Sequence, residues 1–481
     1  MEGLEAEIEE VRESFGSGKT RDASWRRSQL KGLLTFLQEK EEDIFEALKK
    51  DLGKHYVETY RDEVGTVIKS INFALAGLKE WMSSKKVKLP LGAFPTTGEI
   101  VCEPLGLVLI ISSWNFPIGL SLEPLIGAVA AGNTAVLKPS ELAPACAALL
   151  ANTIPNYLDN KAIKVIEGGA SVGEQLLQQK WDKIFFTGST RVGRIVMSAA
   201  AKHLTPVALE LGGKCPAVVD TLSSSWDKKM TVKRLVTGKF GVCGGQACVG
   251  VDYILVEKQF ASTLVELLKD MINRLHGENP KELSSIARIV NEQHFSRLKN
   301  ILNDPTVKPS IVHGGSLDED NLFIEPTILV DPPLNSAIMT EEIFGPLLPI
   351  ITLMKIEDSI QFINSRPKAL ALYVFTKNEA FKRRIIAETS SGSVTLNDNI
   401  IQYAADTLPF GGVGDSGFGK YHGKFSFDLF THQKAVLRRS FLTEFWFGYP
   451  PWNANKLRLL RLAYNYDYMG ILLTILGLKR S

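Results

Sequence analysis

Cys248 is the residue of this sequence best placed to attack an electrophile. It follows Gly244, Gly245 and Gln246 in the string GGQACVGVDYIL, where few side chains crowd the thiol, and a strand-like run comes after it. A thiol in such a loop is a nucleophile when its surroundings lower its pKa, and otherwise a small, inert hydrophobe. Cys243 lies five residues earlier, but no His or second Cys pair stands nearby at ligand spacing, so no metal is expected. Glu210 sits among apolar neighbours in LELGGKCP. Apolar surroundings raise a carboxyl pKa towards the range of a general base, although such a group also occurs as a buried partner of a lysine. In FFTGSTRVGR, Gly188, Ser189 and Gly193 mark an expected strand-to-helix turn, where glycine lets the backbone approach a pyrophosphate or simply relieves crowding. Lys138 and Glu141, in KPSE after another expected strand, offer an ammonium and a carboxylate to ribose hydroxyls; Ser140 reads equally well as a helix cap.

These residues need elements to hold them. Apolar residues recur at three- and four-residue steps from Leu4 to Phe15 and from Leu30 to Leu48, which predicts amphipathic helices. Between them, Gly16-Ser17-Gly18-Lys19-Thr20 has the ending of a phosphate loop, but Glu13 stands where the first glycine is required and a helix precedes it, so that reading is rejected. Short β-branched runs at Leu107–Ile111, Thr134–Leu137, Ile163–Ile166 and Lys183–Thr187 alternate with Ala- and Leu-rich stretches, the pattern of a parallel, doubly wound sheet. A second αβ alternation follows from about Cys215, with strands expected at Tyr253–Val256, Phe323–Leu329 and Leu348–Leu353. Lys85–Glu103 reads as a projecting hairpin suited to a partner subunit.

Composition narrows the function. With 481 residues, 45% of them hydrophobic, the chain is long enough for several cored units, and 55 basic against 53 acidic residues leave a charge of +2 that argues against nucleic acid as a partner. Five scattered cysteines suit a reducing compartment. The acidic start, Glu2–Glu13, has neither a secretory nor an Arg-rich targeting pattern, so the cytoplasm is expected. The apolar stretch Met469–Leu478, followed by Lys479 and Arg480, is too short for a span of about 20 residues. It reads as a helix packed on the body or a second subunit in preference to a weak membrane-surface contact.

Together with SSWNFP (112–117), EEIFGP (341–346) and LPFGGVGDSGFGKYHGK (408–424), the strings above form an ordered set spread over more than half the chain. In that set the sequence resembles the aldehyde dehydrogenases, and its Tyr421-His422-Gly423-Lys424 is similar to their class 3 branch for fatty or aromatic aldehydes. The resemblance implies an α/β fold with three parts: a Rossmann-like dinucleotide-binding domain (1–84 and 104–210), an α/β catalytic domain (211–395), and a small β bridging or oligomerisation element (85–103 and 396–440). A tail (441–481) follows. It implies NAD, with NADP possible, an aldehyde substrate, and a homodimer. It also implies Cys248 as nucleophile, Asn115 with the Cys248 backbone N–H as oxyanion donors, and Glu210 as the base. Glu342 and Phe344 would meet the nicotinamide side, Lys138 and Glu141 the adenosine ribose, and Gly188 and Ser189 the phosphates. Cys243 and Ala247 depart from the family's usual residues, which raises a reversible Cys243–Cys248 disulfide as an expectation to examine. An acylating reaction ending on coenzyme A is the alternative chemistry, and Glu210 favours water. A scaffold that has kept only the fold would lack Cys248, Glu210 or Asn115, and a membrane adaptor would leave the cofactor motifs incidental.

Overall fold

The computed structural model describes residues 2–90, 93, 96–277, 286–441 and 444–478. The chain divides into two compact units, one of residues up to 78 with 104–431, the other of residues 79–103 with those from 432 onward.

Two sheets form the core of the larger unit. The first runs Gly417–Phe418, Val207–Leu211, Lys183–Gly188, Leu107–Ile111, Thr134–Lys138, Ile163–Val165. Its last five strands are parallel. Leu107 to Ile110 are at most 1% exposed, as a strand covered on both faces requires. The chain winds outward from Leu107–Ile111 first to one side and then to the other, which makes a switch point between that strand and Lys183–Gly188. In open α/β sheets ligands bind at the carboxyl ends of the strands flanking such a point. Asn115 follows one of these strands and Gly188 ends the other.

The second sheet has seven strands, in the order Ile311–His313, Thr327–Val330, Leu347–Leu353, Tyr253–Glu257, Pro216–Val219, Ala371–Phe375, Ser393–Leu396. All pairs are parallel except the first. Cys248 and Glu342 precede the amino ends of two of these strands, so the site draws on carboxyl ends from one sheet and amino ends from the other. The expected strand Phe323–Leu329 is two elements: Phe323–Ile324 pairs with Leu317–Asp318, and Thr327–Val330 joins the large sheet. Pro326, between them, has no N–H to give to a ladder.

The first expected helix is Glu2–Gly16. The apolar period from Leu30 to Leu48 spans two helices, Ala23–Glu39 and Glu41–Leu52, which break at Lys40 (φ −110°, ψ 17°). The rejected phosphate loop lies between helices, with Lys19 paired to Asp159 at 2.7 Å. Residues 396–431, grouped by the sequence with the bridging element, fall in the larger unit, because Gly417 and Phe418 pair with Glu210 and Leu209.

The smaller unit carries a three-stranded sheet, Lys85–Val87, Thr97–Pro104, Thr431–Arg438, whose first two strands are antiparallel with Lys85 opposite Ile100. Leu91, Gly92, Phe94 and Pro95 of the expected hairpin lie outside the described residues. Arg438 bonds Glu99 at 2.6 Å across this sheet. Two further helices follow, Ala454–Tyr464 and Tyr468–Ile475. Among the described residues no helix is long and apolar enough to cross a membrane; Lys479 and Arg480 lie outside them.

Candidate active site

Cys248 stands after the tight turn Cys243–Gly245, in which Gly244 and Gly245 have φ of 59° and 81°. A Cβ on Gly245 would lie 2.5 Å from the carbonyl oxygen of Gly345, so only glycine lets this turn close on the EEIFGP segment. The thiol borders two cavities. One, of about 530 Å³, is largely apolar around Phe116, Leu120, Met230, Val249, Ile400 and Tyr403. The other, of about 290 Å³, is a cleft that gathers Asn115, Gly188, Ser189, Glu210, Glu342 and Phe344.

Burial pushes the Cys248 thiol up to about 12, with the neighbouring carboxylates of Glu342 and Glu210 acting in the same direction. The lowered pKa that would ready this thiol is therefore not a property of the resting site. No cation stands among the causes, and the thiol needs a base to take its proton. Glu210, on the strand Val207–Leu211, is 4% exposed and its Oε2 has no hydrogen-bond partner. Burial alone raises its pKa well above the carboxylate range. The lysine pairing left open by the sequence is absent: Lys214 is taken by Asp252 and by the carbonyls of Ile338 and Glu341, at 2.7 and 2.9 Å.

Asn115 is held from three sides. Its Nδ2 donates to the Gln246 carbonyl at 2.9 Å, and since the amide carries two hydrogens, one is left for a ligand. Its own carbonyl accepts from Lys54 Nζ at 2.8 Å and from the Cys243 thiol at 3.3 Å. Lys54 in turn bonds Glu63 at 2.7 Å, with both side chains buried, and the other Glu63 oxygen accepts from the N–H groups of Ile118 and Gly119 at 2.9 and 3.1 Å. The SSWNFP loop is thus fixed to the start of the helix Gly119–Ala131 by a buried ion pair. Cys243 and Cys248 are both free thiols, and Cys243 is fully buried.

Glu342 packs, half-buried, against Gly212 and Gly213. The Gly213 N–H donates to its Oε1 at 3.0 Å, and a Cβ on Gly212 would sit 2.3 Å from either carboxyl oxygen. Burial raises its pKa to about 8. Phe344 (φ 50°) meets Trp114 edge-on at 5.3 Å, and Trp114 meets His294 at 5.2 Å. His294 and Arg297, which the sequence reading missed, also line the cleft. They lie three apart on the helix Glu292–Asn303, and that spacing, one helix face, was the available signal. Lys138, Glu141 and Gly193 are not part of the cleft lining. Lys138 pairs with Glu141 at 3.0 Å at the end of its strand, and Gly193 packs in the first turn of the helix Thr190–Ala201, 3.0 Å from Leu211 measured from its missing Cβ.

The cleft suits a dinucleotide. Thr187 Oγ1, Glu210 Oε2 and His294 Nδ1 line it as buried polar atoms without partners, and Gly188 and Ser189 open a helix whose N-terminus favours phosphate. The aldehyde dehydrogenase family profile matches residues 2–436. The chain belongs to the aldehyde dehydrogenase family. This dehydrogenase is 56% identical over 479 residues to "Aldehyde dehydrogenase family 3 member F1" of Arabidopsis thaliana, covering 100% of this chain and 99% of that protein. It is 44% identical over 444 residues to "Aldehyde dehydrogenase, dimeric NADP-preferring" of Rattus norvegicus, covering 92% and 96%. Among solved structures, the substrate-bound AldH of Staphylococcus aureus superposes with a TM-score of 0.92 at 43% identity, covering 96% of this chain and 99% of that one. The dehydrogenase oxidises aldehydes to carboxylic acids with NAD(P), and the class 3 resemblance of its sequence agrees with these relatives.

Proposed function

We propose that Cys248 is the nucleophile of this oxidation and that the aldehyde reaches it through the larger cavity while the cofactor occupies the cleft lined by Gly188, Ser189, Glu342 and Phe344. The observation that carries the proposal is that Cys248 borders both spaces. Glu210 takes the thiol proton, the sulfur adds to the carbonyl carbon, and the negative oxygen is held by the free Asn115 N–H and the Cys248 backbone N–H. NAD(P), when bound, would supply the acceptor for the hydride lost from the Cys248 thiohemiacetal carbon, leaving a thioester on the sulfur. Glu210 passes the thiol proton to solvent, then draws a proton from water as it attacks the thioester and returns it to the departing sulfur, so the acid leaves with the thiol restored. Glu342 and Phe344 hold the nicotinamide side, Gly188 and Ser189 the phosphates, and Lys138 and Glu141 the adenosine ribose. Glu141 disfavours a 2′-phosphate, so NAD is the first choice.

The size and apolar lining of the larger cavity support medium- or long-chain aliphatic or aromatic aldehydes as substrates. A buried Glu210 without an ionic partner supports water over coenzyme A as the acceptor. Five cysteines scattered along the sequence support a reducing, cytoplasmic setting, and the "dimeric" rat relative supports a homodimer. Exposed Trp452, Met469, Leu472 and Ile475 on the final segment support a weak contact with a membrane surface or a second subunit.

The test is the appearance of reduced nicotinamide with hexanal and NAD, comparing wild type with Cys248→Ser. Turnover in the first and near-total loss in the second are expected. Equal turnover in both would dismiss the covalent route.

A further inference from the structure

Behind the wall of the apolar cavity lies a second cluster of ligand-type side chains that the dehydrogenase reaction does not use. Glu123, on the helix Gly119–Ala131, Asp406, after the turn Ile401–Ala404, and His422, at the start of the helix Gly423–Leu429, come from three separate elements. They are 3%, 8% and 2% exposed, and one donor atom from each falls within 4.8 Å of the other two.

The distances do not describe a hydrogen-bonded triad. His422 Nδ1 lies 3.7 Å from Glu123 Oε1 and 3.9 Å from Asp406 Oδ1, beyond the 2.7–3.2 Å of an N–H···O bond, and neither ring nitrogen has a partner. An imidazolium here would bury two unpaired N–H groups, and a neutral ring would still bury one beside two carboxyls. Burial holds the Glu123 carboxyl above its usual range. Around a shared metal ion with bonds near 2.0–2.2 Å, ligand atoms stand roughly 3.0–3.6 Å apart; the two distances from His422 need close by only a few tenths of an ångström, and the two carboxyl donors lie within 4.8 Å of each other. Ser70 donates to Asp406 Oδ1 at 3.2 Å, and Lys69 occupies the opposite oxygen, Oδ2, at 3.2 Å, leaving Oδ1 turned to the cluster. Tyr403, Phe410 and Tyr421 enclose the imidazole at centroid distances of 4.7, 5.2 and 4.5 Å, which fixes the ring plane.

We propose that Glu123, Asp406 and His422 form a structural site for one divalent first-row metal ion of the oxygen- and imidazole-binding kind, such as zinc or manganese. Two carboxylates and one imidazole are a donor set for such ions. The ion ties three elements together behind Tyr403, which packs on His422 and lines the cavity, so the site holds a wall of the aldehyde chamber without entering the chemistry.

Elemental analysis of protein purified without chelator from zinc- and manganese-supplemented medium tests this. The expected result is about one ion per chain in wild type and in Cys248→Ser, and under about a tenth of that in Glu123→Gln and in Asp406→Asn. Chelation under mild denaturant should lower the thermal midpoint of wild type and leave that of the folded variants unchanged. Wild type free of metal, or metal that disappears with Cys248→Ser and persists in Glu123→Gln, would overturn the site. In the first case the cluster is a buried histidine between carboxyls.

Discussion

Replacing Glu342 by Gln should make the protein more stable in alkali. The folded carboxyl keeps its proton up to about 8 because burial, helped by Asp252, disfavours the charge more than the Gly213 N–H favours it. The unfolded chain releases the same proton near 4.5. Between those values the folded state binds more protons, so this group's contribution is fully present below about pH 4.5 and is lost as the pH rises to about 8. At about 1.4 kcal/mol for each factor of ten in proton affinity, ionising Glu342 in place costs on the order of 4–5 kcal/mol. Gln keeps the oxygen that accepts from Gly213, fills the same gap beside Gly212 and does not titrate. Unfolding free energies of the two proteins from urea titrations should therefore agree to within about 1 kcal/mol at about pH 5 and diverge by several kcal/mol in favour of Gln at about pH 9. If the difference between them stays within about 1 kcal/mol over that range, the carboxylate is not disfavoured by its surroundings and the reasoning fails. Measured at about pH 9, where the carboxyl is ionised, the KM for NAD should rise about tenfold or more in the variant, since hydrogen bonds to a charged group contribute about 1.5–3 kcal/mol.

Asn115→Ala removes the side-chain oxyanion donor and should lower kcat about 10²–10³-fold in steady-state assays with saturating aldehyde. Glu210→Gln should slow both the first-turnover burst of reduced cofactor and steady turnover about 10²-fold or more, because the same base readies the Cys248 thiol and brings water to the thioester. With the Glu210 pKa raised, its basic form gains population as pH rises, so the wild-type pH–rate profile should climb through neutrality towards alkali and that limb should vanish in the variant. Lys54→Met leaves Glu63 buried without its partner and should lower stability by about 3–5 kcal/mol in urea denaturation, with kcat falling as the Asn115 loop loses its anchor.

The parts legible in the sequence were those written locally. Leu107–Ile111 was bounded to the residue, because a strand covered on both faces is an unbroken apolar run. Asn115, Gly188, Ser189, Glu210, Glu342 and Phe344 each sit in a short string with its own turn chemistry, and the fold brings all six to one cleft beside Cys248. The break at Lys40 was hidden because the apolar period continues across it, whereas Pro326 was a visible stop inside the run expected as one strand. The apolar cavity had no local signature at all: Phe116, Met230, Val249 and Tyr403 come from four distant segments and share a wall only in three dimensions. The raised pKa of Cys248 was likewise out of reach, since it depends on which charges stand near the sulfur after folding.

A thiol that borders two chambers gives the enzyme two doors. A long-chain compound lodged in the larger chamber leaves the cleft beside Gly188 and Glu342 open, so inhibitors of that type should depress turnover without competing against NAD, while nucleotide fragments should compete with NAD and not with the aldehyde. Acid and reduced cofactor can depart by separate mouths, and neither has to wait in line behind the other.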